Sequence, residues 1–112
     1  MTTLDTLYID GAFVAGSGAP FDVVDPATED VITSINAATP GDVEAALRSA
    51  AAGFAVWKAT DPWTRSARLR EVARLLRERA DEIAASLTAE QGNPLALARL
   101  EVLSGADQFD WH

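Results

Sequence analysis

The first third of the chain alternates short apolar runs with turn residues, a pattern that is typical of β-hairpins. The runs Leu7–Ile9 and Ala12–Val14 are separated by Asp10 and Gly11. An Asp-Gly pair between apolar runs favours a tight two-residue turn, because both central positions tolerate positive φ. Gly16-Ser17-Gly18 then interrupts the pattern. The spacing therefore predicts a first hairpin over residues 7–14.

A second pair of extended segments follows, at residues 21–24 and 31–35. The segment between them contains Asp25-Pro26, and proline is pre-set for the second position of a turn. These two segments can pair as another hairpin. We therefore assign residues 1–38 to β-hairpins.

From residue 39 onward, apolar residues recur at steps of three and four, which places them on one face of a helix. Thr39 is a candidate N-cap, Pro40 fits the first helical position and Asp42 follows three residues after the cap. The apolar stripe of this first helix consists of Val43, Ala46, Leu47, Ala50, Phe54 and Trp57.

Asp61-Pro62 repeats the cap-and-proline pattern and begins the next helical region. Periodicity leaves open whether this region is one helix or two with a kink near residues 79–81. Gly92 suits the left-handed position that closes a helix, and Asn93-Pro94 is predicted to cap and start another. The two stripes are Leu69, Val72, Ala73, Leu76, Ala80, Ile83, Ala84 and Leu87, then Leu95, Ala98, Val102, Ala106 and Phe109.

The predicted fold class is therefore α+β, with N-terminal β-hairpins followed by three to four helices over residues 39–112. The apolar helical pattern of the last predicted helix continues up to the final residues, Asp110-Trp111-His112. A native terminus more often lies in a polar tail. We expect either that the last helix frays or that the protein continues.

Charge and hydropathy narrow the possible partners. The 112 residues carry 9 basic and 17 acidic side chains, a net charge of -8. Nucleic-acid binding is not expected, because it needs a basic face to neutralise phosphates. Six arginines cluster in residues 65–79, but acidic residues are interleaved with them, which indicates a solvated, salt-bridged helix face.

No apolar run approaches the about 18–20 residues of a membrane span, and no secretory signal is visible. We expect a cytoplasmic protein without a membrane partner.

The chain shows no convincing catalytic or binding motif of its own. Gly16-Ser17-Gly18 is the one glycine cluster, but a strand follows it, and a phosphate-binding loop would lead into a helix. The acidic residues Asp22, Asp25, Glu29 and Asp30 surround a turn signal, so we interpret them as a solvated turn and not as a cation site.

The chain offers no set of residues that is suited to nucleophilic catalysis or to binding a metal ion. Cysteine is absent, which excludes disulfides, thiolate metal ligands and a cysteine nucleophile within these residues. His112 is the single histidine, and Lys58 is the single lysine, at the end of a predicted helix whose dipole it suits. Glu90 could be a general base, but its neighbours indicate a corner between helices. We assign no catalytic, cofactor-binding or metal-binding residue.

Several stretches, in order, resemble the start of the aldehyde dehydrogenase superfamily. The matching segments are residues 7–13 (LYIDGAF, like YIDGxW/F), 24–32 (VDPATEDVI, like NPATGEVI), 42–57 (like DVDAAVxAAxxAFxxW), 65–84 (like RxxxLxxxAxxLxxRxxELA) and 90–95 (EQGNPL, like ExGKPL), and residues 101–102 and 109–111 suit the helix that follows. The sequence is similar to members that act on succinate semialdehyde, betaine aldehyde and related small aldehydes. Three positions depart from the family pattern. Asn93 stands where Lys is usual, Asp25 where Asn is commoner, and Asp30 where Glu is commoner.

The resemblance implies that the chain is the N-terminal portion of the α/β, Rossmann-like cofactor-binding domain. It further implies that the full-length protein uses NAD or NADP to oxidise an aldehyde to an acid. The family's oxyanion-hole Asn, general-base Glu and nucleophilic Cys lie beyond His112. Some members bind a monovalent cation near this corner, and the matching groups are the backbone of Val23 and Val24 and the carboxylate of Glu90, where Glu replaces a shorter Asp.

Two hypotheses follow. In the first, the chain is an N-terminal fragment of an aldehyde dehydrogenase, truncated or gene-split, and is inactive alone. In the second, it is a stand-alone protein-interaction or structural module, motivated by the apolar residues Phe54, Trp57, Leu69, Leu76 and Leu87. The expected partners are the remainder of the aldehyde dehydrogenase chain or a second copy. Because much of this apolar surface lacks a covering element, we expect the isolated chain to self-associate or to be marginally stable.

Overall fold

The computed structural model describes residues 7–112, which fold as two antiparallel hairpins and four helices. This α+β architecture is the one that the sequence predicts. The elements are β1 Leu7–Ile9, β2 Ala12–Val14, β3 Pro20–Val24, β4 Val31–Asn36, α1 Pro40–Ala59, α2 Pro62–Glu78, α3 Ala80–Gln91 and α4 Leu95–Trp111.

These residues form two compact units. The hairpin unit comprises residues 7–24 and 30–59, and so contains both hairpins and α1. The three-helix unit comprises residues 25–29 and 60–112, and so contains one turn with α2, α3 and α4. Helix α1 therefore groups with the strands, although the sequence pattern assigns it to the helical part.

The first hairpin forms as predicted. Strands β1 and β2 pair antiparallel, with Ile9 opposite Ala12 and Leu7 opposite Val14. Asp10 and Gly11 form the two-residue turn, with φ of 53° and 75°. The side chains of Tyr8 and Phe13 face each other across the strands, with ring centroids 5.0 Å apart. Such a cross-strand aromatic pair adds to hairpin stability.

The second predicted hairpin is confirmed as well. Strands β3 and β4 pair antiparallel from Pro20 opposite Asn36 to Val24 opposite Val31. An irregularity lies between Val23 and Val24, where the register shifts.

Helix α1 begins as predicted but does not bury its apolar stripe. Thr39 caps the helix, because its Oγ1 accepts from the Asp42 N–H at 3.4 Å, and Pro40 is the first helical residue. No residue of α1, all of which lies in the described part of the chain, is buried. Leu47 and Phe54 of the stripe are each 65% exposed, and Trp57 is 40% exposed.

Helix α2 begins at the predicted cap, and the question of a kink is settled. The Asp61 carboxylate accepts from the Thr64 N–H at 3.0 Å, with Pro62 first in the helix. Arg79, with φ −102° and ψ 15°, separates α2 from α3, so the region is two helices.

The corner between α3 and α4 confirms one prediction and corrects another. Gly92 adopts φ 70°, and its N–H donates to the Thr88 carbonyl at 2.9 Å, as a helix-closing glycine does. The prediction that Asn93 caps α4 is wrong. Pro94 occupies the cap position, no side chain caps the helix, and the Asn93 amide instead donates to Glu101 at 3.0 Å.

The core of the three-helix unit consists of small side chains. In the described part of the chain, the buried apolar residues are Ala73, Ala80, Ala84, Ala98, Val102 and Ala106. Helix α4 packs against both α2 and α3. Because alanine ends at Cβ, the helix backbones approach closely, and the larger Leu69, Leu76, Ile83 and Leu87 lie half-buried at the margin.

Candidate functional site

The glycine cluster is a backbone junction of the hairpin unit. The Gly18 N–H donates to the Ala37 carbonyl at 2.8 Å, and the Ala37 N–H donates to the Ala19 carbonyl at 3.0 Å. A Cβ on Gly16 would overlap the Asn36 carbonyl oxygen, and one on Gly18 would lie 2.7 Å from the Ala37 oxygen. The glycines are therefore required by close backbone approach, which agrees with the predicted structural role of this segment.

A carboxylate completes the junction. Asp42 accepts from the N–H and Oγ of Ser17 at 3.1 and 2.9 Å, and from the N–H and Oγ1 of Thr39 at 2.8 Å each. The hydrogen bonds from Thr39 have the largest effect, and those from Ser17 add to it. Both stabilise the charged form and lower the pKa of Asp42 to about 2. Two of the amides that a bound anion would need, those of Ser17 and Gly18, are thus already used within the fold.

Beside this junction lies a shallow apolar cleft between β1 and the first turns of α1. Its volume is about 150 Å³, and Tyr8, Ala38, Val43 and Ala46 are among the residues that line it. Asp42 is the charged residue at its edge. The cleft is too small and too open to enclose a dinucleotide, since ligand pockets of that kind span several hundred Å³.

The acidic turn at residues 25–29 is held by hydrogen bonds among its own residues. The Asp25 carboxylate accepts from the Ala27 N–H at 2.7 Å, and the Glu29 N–H donates to the Asp25 carbonyl at 2.8 Å. Glu29 adopts φ 65°. Residues 7–112 contain no group of three or more histidine or acidic side chains placed so that they could hold a metal ion.

The arginine-rich stretch forms the predicted salt-bridged helix surface. Arg74 contacts Glu71 and Glu78, each at 2.8 Å, along α2. This pairing with Arg74 holds the pKa of Glu71 below its ordinary value. Arg79 makes a similar contact with Glu82 at 3.0 Å.

Three ion pairs, made by two arginines, join different helices, and the sequence pattern does not predict them. Arg77 of α2 contacts both Asp107 and Asp110 of α4 at 2.7 Å. Arg99 of α4 contacts Asp81 of α3 at 2.7 Å. Helical periodicity cannot find such pairs, because it relates only positions on one helix.

The three remaining residues that the sequence analysis considers for catalysis or metal binding are all solvent-exposed. Lys58 lies in the last turn of α1, as predicted, where its charge suits the helix dipole. Glu90 lies in the last turn of α3, and His112 follows the end of α4. No helix in the described part of the chain is both long enough and apolar enough to cross a membrane.

Many large apolar side chains are exposed on the described residues. Trp63 and Trp111 are each 86% exposed, and Val56 is 71% exposed. Single exposed apolar residues are ordinary on a protein surface. On α1, however, Leu47 and Phe54 share one face and are each 65% exposed, and Trp57 of the same stripe is 40% exposed. A surface of this kind is typical of a region that another element covers.

Comparison with known proteins assigns the family. Residues 13–112 match the sequence model of the "Aldehyde dehydrogenase family". The chain belongs to the aldehyde dehydrogenase family. The resemblance seen in the ordered motifs is thereby confirmed, and it extends over nearly the whole of this aldehyde dehydrogenase chain.

Solved structures share the fold. An NAD-dependent benzaldehyde dehydrogenase from Corynebacterium glutamicum is 30% identical with a TM-score of 0.92, and the match covers 96% of this chain and 24% of that one. An aldehyde dehydrogenase from Brucella melitensis biovar abortus 2308 is also 30% identical with a TM-score of 0.92, and covers 99% and 24%. PnpE, solved in complex with nicotinamide adenine dinucleotide, is 34% identical with a TM-score of 0.89, and covers 95% and 22%.

The chain thus spans about a quarter of the length of the structures that it matches. The α+β arrangement of hairpins and helices is therefore one part of a larger fold in those proteins.

Proposed function

We propose that this chain is the N-terminal piece of the cofactor-binding domain of an NAD(P)-dependent aldehyde dehydrogenase and that it does not catalyse the reaction alone. The observation that carries this proposal is the match of residues 13–112 to the family, combined with coverage of only 24% of the benzaldehyde dehydrogenase structure. The chain serves as scaffold, and the chemistry belongs to residues outside it.

The reaction of the complete protein is the oxidation of a small aldehyde to a carboxylic acid. The aldehyde carbon loses a hydride to NAD(P)+ and gains an oxygen from water, and two protons are released when the acid ionises. A covalent route needs a nucleophile that is partly ionised near neutral pH, which cysteine provides. The present 112 residues contain no cysteine.

NAD is the cofactor that the comparisons support for the complete protein. One similar structure is described as NAD-dependent, and another holds nicotinamide adenine dinucleotide. The residues of this chain are not assigned to cofactor contact, because the Ser17 and Gly18 amides of its glycine cluster are engaged by Asp42 and Ala37. A cytoplasmic location remains part of the proposal.

The exposed apolar side of α1 supports the proposed partner. Leu47 and Phe54, which share the predicted apolar stripe of α1, are each 65% exposed, although burial of such side chains stabilises a protein by roughly 1.5–3 kcal/mol each. The remainder of an aldehyde dehydrogenase chain would cover this surface. Without it, we expect self-association.

An activity assay tests the absence of autonomous catalysis. The purified chain is incubated with NAD+ or NADP+ and short aldehydes, and reduced cofactor is followed by absorbance. We expect no turnover above buffer. Turnover that copurifies with the chain and survives repeated chromatography would overturn the proposal.

A chimera tests the scaffold role. This chain replaces the structurally matching segment of the Corynebacterium glutamicum enzyme, and cofactor-dependent oxidation of benzaldehyde is measured. We expect a folded chimera that retains activity.

A second chimera carries Phe54→Asp, which should impair assembly by placing a charge in the covered surface. Glu44→Gln on the same helix is the matched control and should have no effect. If the chimera folds but is inactive, or if Phe54→Asp is harmless, the scaffold role or the assigned surface is wrong.

The alternative is a stand-alone interaction module, favoured by the exposed Phe54 and Trp57. The other residues that motivate it, Leu69, Leu76 and Leu87, are half-buried. Reading the coding DNA beyond the codon for His112 separates the two. A frame that continues into a cysteine-bearing region supports the proposed fragment. A stop codon, together with a monomeric chain that unfolds in one sharp transition, supports the module.

A further inference from the structure

We draw no further inference here: the strongest candidate, the shallow apolar cleft between β1 and the first turns of α1, carries nothing because Asp42 at its edge is already held by Ser17 and Thr39 and no other feature of the described residues points to a ligand.

Discussion

Helices in the two units differ in how far their surfaces are covered. Each of α2, α3 and α4 has at least one buried alanine, whereas α1, described over its whole length, has no buried residue. The lengths do not explain this, since α1 has 20 residues and α3 has 12. The difference lies in the neighbouring elements, because α4 packs against both α2 and α3, while β1 lies beside the first turns of α1.

The comparison shows two ways of holding a helix. In the three-helix unit, small side chains let helices approach, and dispersion contacts accumulate over the interface. In the hairpin unit, α1 is held at its first turn by the hydrogen bonds of Asp42 with Ser17 and Thr39. The three-helix unit therefore buries alanines between its helices, whereas the start of α1 is fixed by the hydrogen bonds of one carboxylate.

The largest expected effect comes from enlarging a core alanine. Ala98 is fully buried, so Ala98→Leu should force the helices apart and lower the free energy of unfolding by about 1–3 kcal/mol. Ala51→Leu on the exposed part of α1 is the matched control and should change it by less than about 0.5 kcal/mol. Urea denaturation followed by circular dichroism measures both. Equal losses would mean that the two units do not differ in packing.

A glycine pair probes the hairpin unit in the same way. Gly16→Ala places Cβ against the Asn36 carbonyl and should destabilise by about 1–3 kcal/mol, because backbone must move. Gly53→Ala meets no atom within 4 Å and should stabilise α1 by roughly 0.5–1 kcal/mol. Thermal melts of the two variants give opposite signs if this is right. A harmless Gly16→Ala would show that the junction is looser than described.

Acid should weaken the hairpin unit through Asp42. Its pKa is lowered from 3.8 to about 2, so the charged form stabilises the folded state above pH 3.8, and this contribution is lost as pH falls towards 2. Asp42→Asn should be less stable than the unaltered chain at neutral pH, and the gap should close on acidification. Glu44→Gln is the control for general acid effects on α1. A gap that stays constant with pH would exclude this role of the carboxylate.

The smallest expected effect concerns the ion pairs between helices. Arg77 is 39% exposed on its side chain, so Arg77→Gln should lower the unfolding midpoint only slightly. The loss should shrink in high salt, because exposed charges are screened. Arg70→Gln, at an exposed position of the same helix, is the control. A large loss that is independent of salt would point to packing by the Arg77 stem and not to its charge.

Much of the local structure could be predicted, and the errors are instructive. The caps at Thr39 and Asp61 and the closing Gly92 were found, because each depends on residues within about one turn. Asn93 was misassigned because its amide had a competing partner in Glu101, two turns along α4. The sequence predicts a turn at the glycine cluster because a strand follows it, and the structure adds that the Ser17 and Gly18 amides are engaged within the fold.

The sequence by itself determined the two hairpins, the starts of α1 and α2, the glycine that closes α3 and, through ordered motifs, the family. These features arise from short-range sterics and hydrogen bonding, which a residue's immediate neighbours dictate. Only the tertiary structure decided which apolar stripes are covered, and which polar groups meet across the chain. Ser17 and Asp42 are 25 positions apart, and Arg77 and Asp107 are 30 apart. Such contacts depend on how elements pack, and helical or strand periodicity carries no information about that packing.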